Sequence, residues 1–219
     1  MAMLNLMRLV SPALPIGAFA YSQGLEAAID EGHISSREES ERWLTHIFLR
    51  NICQLDLPVL ERLYHAYEDS NFEEARNWNQ FVLASRETFE LHKEELDIGN
   101  ALGRLLKNLE HPNPLSSTAK AEVQGYISQF AWAGVAWQIP VQELKAGFAF
   151  AWFENQIAAA TKLVPLGQTD AQRALSKLSE LIPEAKGKIV TDEALNQSLP
   201  GLAAMSSRHE NQRARLFRS

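Results

Sequence analysis

The chain has 219 residues, 46% apolar and 22% charged, which suits one substantial globular core and excludes disorder of the whole chain. Its formal charge of −6 argues against a general nucleic-acid binder, which needs a basic excess to neutralise phosphates. The single cysteine, Cys53, excludes an intrachain disulfide and any Cys-rich metal motif; it fits a reducing compartment and reads as a small buried apolar residue.

Taken in chain order, Met1–Val10 is only mildly apolar and is broken by Asn5 and Arg8, unlike a signal peptide. Ser35 and Ser36 each have a glutamate three residues on, so either can open a helix through a capping box. Trp43, Leu44, Ile47 and Phe48 then recur at helical spacing, and Val59, Leu60, Leu63, Tyr64 and Tyr67 repeat the pattern behind Pro58. Phe72, Ala75, Trp78, Phe81 and Val82 mark a further helix, and residues 85–108 another. His111-Pro112-Asn113-Pro114 is a break, expected to divide two helical layers of one domain. Beyond it come an apolar stripe (Val123, Tyr126, Ile127, Phe130, Trp137) and a long segment from Pro140. That segment is apolar over much of its circumference, as befits a central helix. Its run Ala146–Phe153 is bracketed by Lys145 and Glu154 and is far short of the roughly 18–20 residues that cross a bilayer. A cytoplasmic protein with no membrane attachment is expected. Pro165–Gln168 reads as a loop, Thr169 or Asp170 as the cap of the next helix, and Pro200-Gly201 as a break ahead of the tail. Nothing shows period-two alternation between hairpin turns. The expectation is an all-α, irregular bundle of about ten helices in a single domain, residues 1–204, followed by a basic docking tail, residues 205–219.

Catalytic patterns are absent from the sequence. The six histidines are scattered as surface or half-buried residues, none in a His-Glu-x-x-His or Glu-x-x-His arrangement, so no metal site is expected. No P-loop and no Gly-x-Ser-x-Gly elbow is present, and no two aspartates stand together. Glu87, Glu90, Glu94, Glu95 and Asp97, interleaved with Arg86 and Lys93, read as a solvated helix face, with a partner-binding face as the alternative.

The two ends carry the remaining signal. From Leu9 to Glu26 two prolines and a glycine interrupt an otherwise apolar stretch. A non-helical apolar segment must bury its side chains and still satisfy its backbone, so it docks either into its own core or against something else. From Ser206 onward four arginines and one glutamate give +3, leaving −9 on the rest of the chain. A basic segment ending in Leu216-Phe217-Arg218-Ser219 suits a docking peptide, with forked arginine pairs and an aromatic anchor; a frayed terminus is the alternative.

Four blocks bring a family resemblance: Ser11–Glu26 (SPALPIGAFAYSQGLE), Ala84–Leu91 (ASRETFEL), Lys162–Asp170 (KLVPLGQTD) and the tail from His209-Glu210 through Arg215-Leu216-Phe217-Arg218-Ser219. In this order and spacing the chain resembles the UreF family of urease accessory proteins along nearly its whole length. The resemblance implies a homodimeric, non-enzymatic scaffold. Its partners would be a UreD-type protein (UreH in some bacteria), a UreG-type GTPase and apo-urease, for GTP-dependent nickel insertion. It also implies that nickel and GTP are handled by the complex and that this chain binds no cofactor of its own. Carried over residue by residue, it assigns Ser206, Arg208, His209, Glu210, Arg215, Leu216, Phe217, Arg218 and Ser219 to the UreD-like partner. Tyr21, Gln23, Glu26, Lys162, Gln168 and Asp170 fall to the UreG-like one. Two other functions remain open: a GTPase-activating regulator that offers an arginine, Arg86 or Arg173, and an all-helical enzyme of unknown chemistry.

Overall fold

In the computed structural model, which describes residues 1–117, 123–195 and 198–219, the chain forms eleven α-helices and no strand among those residues. They are α1 (Ala2–Leu9), α2 (Leu25–Asp30), α3 (Arg37–Ile47), α4 (Leu57–Glu68), α5 (Phe72–Ala84), α6 (Phe89–Asn108), α7 (Tyr126–Ala136), α8 (Val141–Leu163), α9 (Gln168–Ser179), α10 (Ile182–Gly187) and α11 (Pro200–His209). The all-α expectation holds, and the helices pack into one domain.

Local chemistry explains most boundaries. Ser36 Oγ accepts from the Glu39 N–H at 3.2 Å, while the Glu39 carboxylate reaches back to the Ser35 N–H at 2.8 Å, so the two serines share the capping work. Asn71 caps α5 through the Glu74 N–H, and Thr88 caps α6 through the Leu91 N–H. The helix expected from Ser85 therefore starts later, at Phe89. Between α3 and α4 the chain winds as a π-helix, Phe48–Asp56, just before Pro58.

Three expectations are corrected. Thr169 and Asp170 lie inside α9, whose N-cap is Gly167, and neither caps it. Pro200 does not break the chain but stands in the first turn of α11, where a missing N–H costs little, so the helix runs across the 204/205 boundary into the tail. The 111–114 break does not separate layers: α7, beyond it, packs on α4 and α6, before it. Asn113 in the break helps join them, donating to the Tyr67 hydroxyl, which also shares a 2.7 Å hydrogen bond with Ser128 of α7.

Helix α8 is central, touching α1, α2, α3, α4, α7, α9 and α10. Its aromatic side chains form the spine of the core. Phe153 stacks near Phe48 with ring centroids 4.4 Å apart, and Phe148 meets Phe130 at 5.2 Å. Helix α1, which the sequence left unassigned, lies on α8, where Leu6 and Val10 fill the space left by Gly147. No helix among the described residues is long and apolar enough to cross a membrane.

Candidate partner-binding site

The stretch before α2 docks into the molecule's own core. Leu14, Ile16, Tyr21 and Leu25 are buried, and two glycines with positive φ, Gly17 at 76° and Gly24 at 75°, make its turns. At Gly24 the chain passes so close to α11 that an added Cβ would lie 3.1 Å from Met205 Cβ and the Ser206 nitrogen. This brings the loop beside α11 and the tail that leaves it. The opposite wall is the first half of α6, whose helical spacing puts Glu90 and Glu94 on one face.

The tail closes over this cleft. His209 is fully buried, with Nδ1 2.8 Å from Glu90 and Nε2 3.0 Å from Glu26. The other Glu26 oxygen accepts from the Leu216 N–H at 2.7 Å, and the oxygen facing His209 also accepts from the Phe217 N–H at 2.9 Å. Arg215 pairs with Glu90 at 2.9 Å. The Ser219 carbonyl accepts from the Ser22 N–H and hydroxyl, and the Ser219 hydroxyl donates to Glu94 at 3.1 Å. The Arg218 N–H donates to the Ala20 carbonyl at 2.8 Å. In this extended strip the residues alternate: Phe217 and Ser219 point in, whereas Leu216 and Arg218 point out. Lys162 stands over the Phe217 ring at 5.3 Å. The result is a clasp in which three buried carboxylates receive a basic tail. The Arg215–Glu90 ion pair among its bonds is charge-assisted, a stronger bond than a neutral one.

Deeper in, Gln23 links the loop to both neighbours: its amide nitrogen donates to Glu94 at 2.8 Å and its oxygen accepts from the Trp152 indole at 2.8 Å. Burial pushes the Glu94 carboxyl up to about 7, against the pull of its two donors. Arg86, its side chain only 10% exposed, lies between Asp56 at 3.0 Å and Glu95 at 2.7 Å. Burial raises Asp56 to about 6 even so, and the paired carboxylates hold the Arg86 guanidinium above its ordinary range. The Tyr21 hydroxyl donates to Asp97 at 3.1 Å, and burial lifts the phenol to about 12.

The structure thus gathers residues that the resemblance assigned to two different partners. Ser206, His209, Arg215, Phe217 and Ser219 meet Gln23, Glu26 and Lys162 in one clasp, with Tyr21 beside it. Ser206, His209, Phe217 and Ser219 are buried against their own chain, whereas Arg208, Glu210, Leu216 and Arg218 are exposed. Arg208 pairs with Glu31 of α2. Gln168 and Asp170 are placed elsewhere, at the start of α9, where Asp170 pairs with Arg37 of α3 and with Arg173. Arg86, one of the two arginines considered for a GTPase partner, is enclosed, while Arg173 is exposed.

Two corrections concern polar residues. Glu90, Glu94 and Glu95 do not form a solvated face; they are buried because the tail and Arg86 solvate them in place of water. Of the six histidines, His209 is fully buried, with both ring nitrogens engaged by carboxylates on opposite sides. Among the described residues no group of three or more His, Cys, Asp or Glu side chains has a metal-holding geometry. Sequence reasoning missed Glu90 and Glu94 as tail receptors. The available signal was their spacing of four on a helix, opposite a tail of the other sign.

Fold and clasp together define an all-helical protein whose two ends close over a single acidic helix face. The UreF family matches residues 34–179. Over 219 residues the chain is 48% identical to the urease accessory protein UreF of Teredinibacter turnerae, spanning 99% of this chain and 98% of that protein. It is 43% identical to the proteins of the same name from Psychrobacter cryohalolentis and Marinobacter nauticus, spanning 100% of this chain and 95% of each relative. The chain belongs to the UreF family of urease accessory proteins.

Proposed function

We propose that the chain is a non-catalytic scaffold in urease maturation, joining a UreD/UreH-type protein to a UreG-type GTPase so that nickel, as cargo, reaches apo-urease in a GTP-dependent step. It acts in the cytoplasm as a homodimer and binds neither nickel nor GTP as a cofactor. The observation that carries this reading is the clasp. Its inner residues are spent on holding the tail, and its outer ones, Arg213, Arg215, Leu216 and Arg218, stand exposed as a ready contact surface. A backbone already fixed by the clasp removes the backbone share of the ordering cost of binding, leaving that of the side chains.

Co-purification of the tagged chain with the two accessory partners, with and without GTP and Ni²⁺, tests the scaffold. Both partners are expected to be retained, and Leu216→Ala with Arg215→Ala is expected to weaken the UreD/UreH-type contact. Retention of neither partner under any of these conditions would remove the scaffold reading. Tight stoichiometric Ni²⁺ binding by the isolated chain would replace it with a metal-binding one.

A further inference from the structure

Next to the clasp lies an open groove of about 430 Å³ between the Pro15–Gly17 stretch, the middle of α6 and the end of the tail. Two guanidinium groups line it, Arg104 from α6 and Arg218 from the tail. Arg104 is exposed and has no partner among the described residues. The groove's one carboxylate, Asp97, is already held by the Tyr21 hydroxyl at 3.1 Å and by the Lys93 ammonium at 2.8 Å. The Arg218 guanidinium lies near the Tyr21 phenol and within the field of Asp97. The balance is therefore basic, on a body that carries −9 outside the tail. Pro15 and Ala101 give the same groove an apolar flank.

We propose that this groove receives a carboxylate-bearing segment of a protein partner, its acidic side chain held between Arg104 and Arg218 and an apolar neighbour laid along Pro15 and Ala101. Charge complementarity carries the assignment, since two arginines present forked donors and the local carboxylate is already occupied. A free small anion would meet only exposed, salt-screened charge in so open a groove, whereas a peptide segment adds the apolar wall. The site is complete only when the tail is closed, because the Arg218 N–H to Ala20 hydrogen bond is what places Arg218 there. The groove thus reads the state of the clasp as well as the partner's charge. This inference rests on the scaffold reading above.

The test uses full-length chain carrying Arg104→Glu, with Arg104→Lys as the charge-retaining control. Binding of the purified UreD/UreH-type and UreG-type proteins is measured separately at about 50 and about 300 mM NaCl. Arg104 is exposed and unpaired, so circular dichroism is expected to be unchanged in both variants. Arg104→Glu is expected to weaken one of the two partners roughly tenfold at low salt, with a smaller difference at high salt and near-normal binding by Arg104→Lys. If both partners bind Arg104→Glu within about twofold of wild type, the groove is not a docking site. Saturable binding of inorganic phosphate by wild type but not by Arg104→Glu, with partner affinities unaltered, would assign the groove to a small anion and overturn the proposal. If the wild-type chain binds neither partner, the scaffold reading falls and this one falls with it.

Discussion

Glu94 concentrates the physics of the clasp in one side chain. One oxygen accepts from Gln23 and the other from Ser219, yet burial still raises its carboxyl to about 7 from an ordinary 4.5. Between those two values the folded chain holds a proton that the unfolded chain has released. Stability from this group is therefore fully present below about 4.5 and is lost as pH rises through about 7. The effect is on the order of 3 kcal/mol. Glu94→Gln removes the titration and keeps an acceptor for Gln23, while its NH₂ can donate to the Ser219 hydroxyl. Urea midpoints at about pH 5 and about pH 8 compare the two. Wild type is expected to lose stability toward pH 8 by that order more than the variant, and parallel losses would show that Glu94 ionises freely in the folded chain. The glutamate was visible in the sequence, but its protonation was not. A carboxylate on a helix reads the same whether water or a distant serine solvates it.

At the scale of elements, α6 decides how closely the bundle can pack. A Cβ on Gly99 would lie 2.6 Å from the Gly125 carbonyl carbon and 2.8 Å from the Tyr126 nitrogen, both backbone atoms. A Cβ on Gly103 would instead meet the end of the Gln129 side chain at 2.7 Å, which can swing away. Alanine gains helix propensity at either position, about 1 kcal/mol. Gly99→Ala is nevertheless expected to destabilise by about 1–3 kcal/mol, because backbone must move. Gly103→Ala is expected to cost less or to be neutral. Guanidinium unfolding ranks them, and a more damaging Gly103→Ala would contradict the close approach of α6 to the chain leading into α7. The Ser35/Ser36 cap and Pro58 at the start of α4 were legible because a cap is a local bond between residues three apart. The π winding before Pro58 and helix α1 were not. The first depends on how α3 and α4 are joined in space, the second on a face offered by α8.

For the whole molecule, the clasp ties residues nearly two hundred positions apart. Deleting residues 213–219 leaves α11 and His209 in place but strips Glu26 of two backbone donors and Glu94 of the Ser219 hydroxyl. Helical content is expected to persist and the melting temperature to fall by several degrees. Amides from Ser22 through Asp30 should exchange faster with solvent, and in the intact chain the Leu216 and Phe217 amides should be protected. Tail amides exchanging at free-peptide rates in the intact protein would mean that the clasp is open in solution. A cut after Ala204 is a harsher change, since it runs through α11 and removes His209, leaving Glu26 and Glu90 without their shared buried partner.

By itself the sequence determined the all-α class, the starts of α3, α4, α5 and α8, the central place of α8 and, through four ordered blocks, the family. Each of these rests on spacing within a segment: a period of 3.6, a cap three residues from its donor, a proline where no N–H is needed. Only the tertiary structure decided where the charges go. Glu26, Glu90 and Glu94 became receptors for the tail, His209 a buried link between two of them, and the loop and tail two halves of one clasp. Burial and pairing are properties of distance in space. Across a separation of 183 residues, as between Glu26 and His209, no local pattern in the chain encodes them.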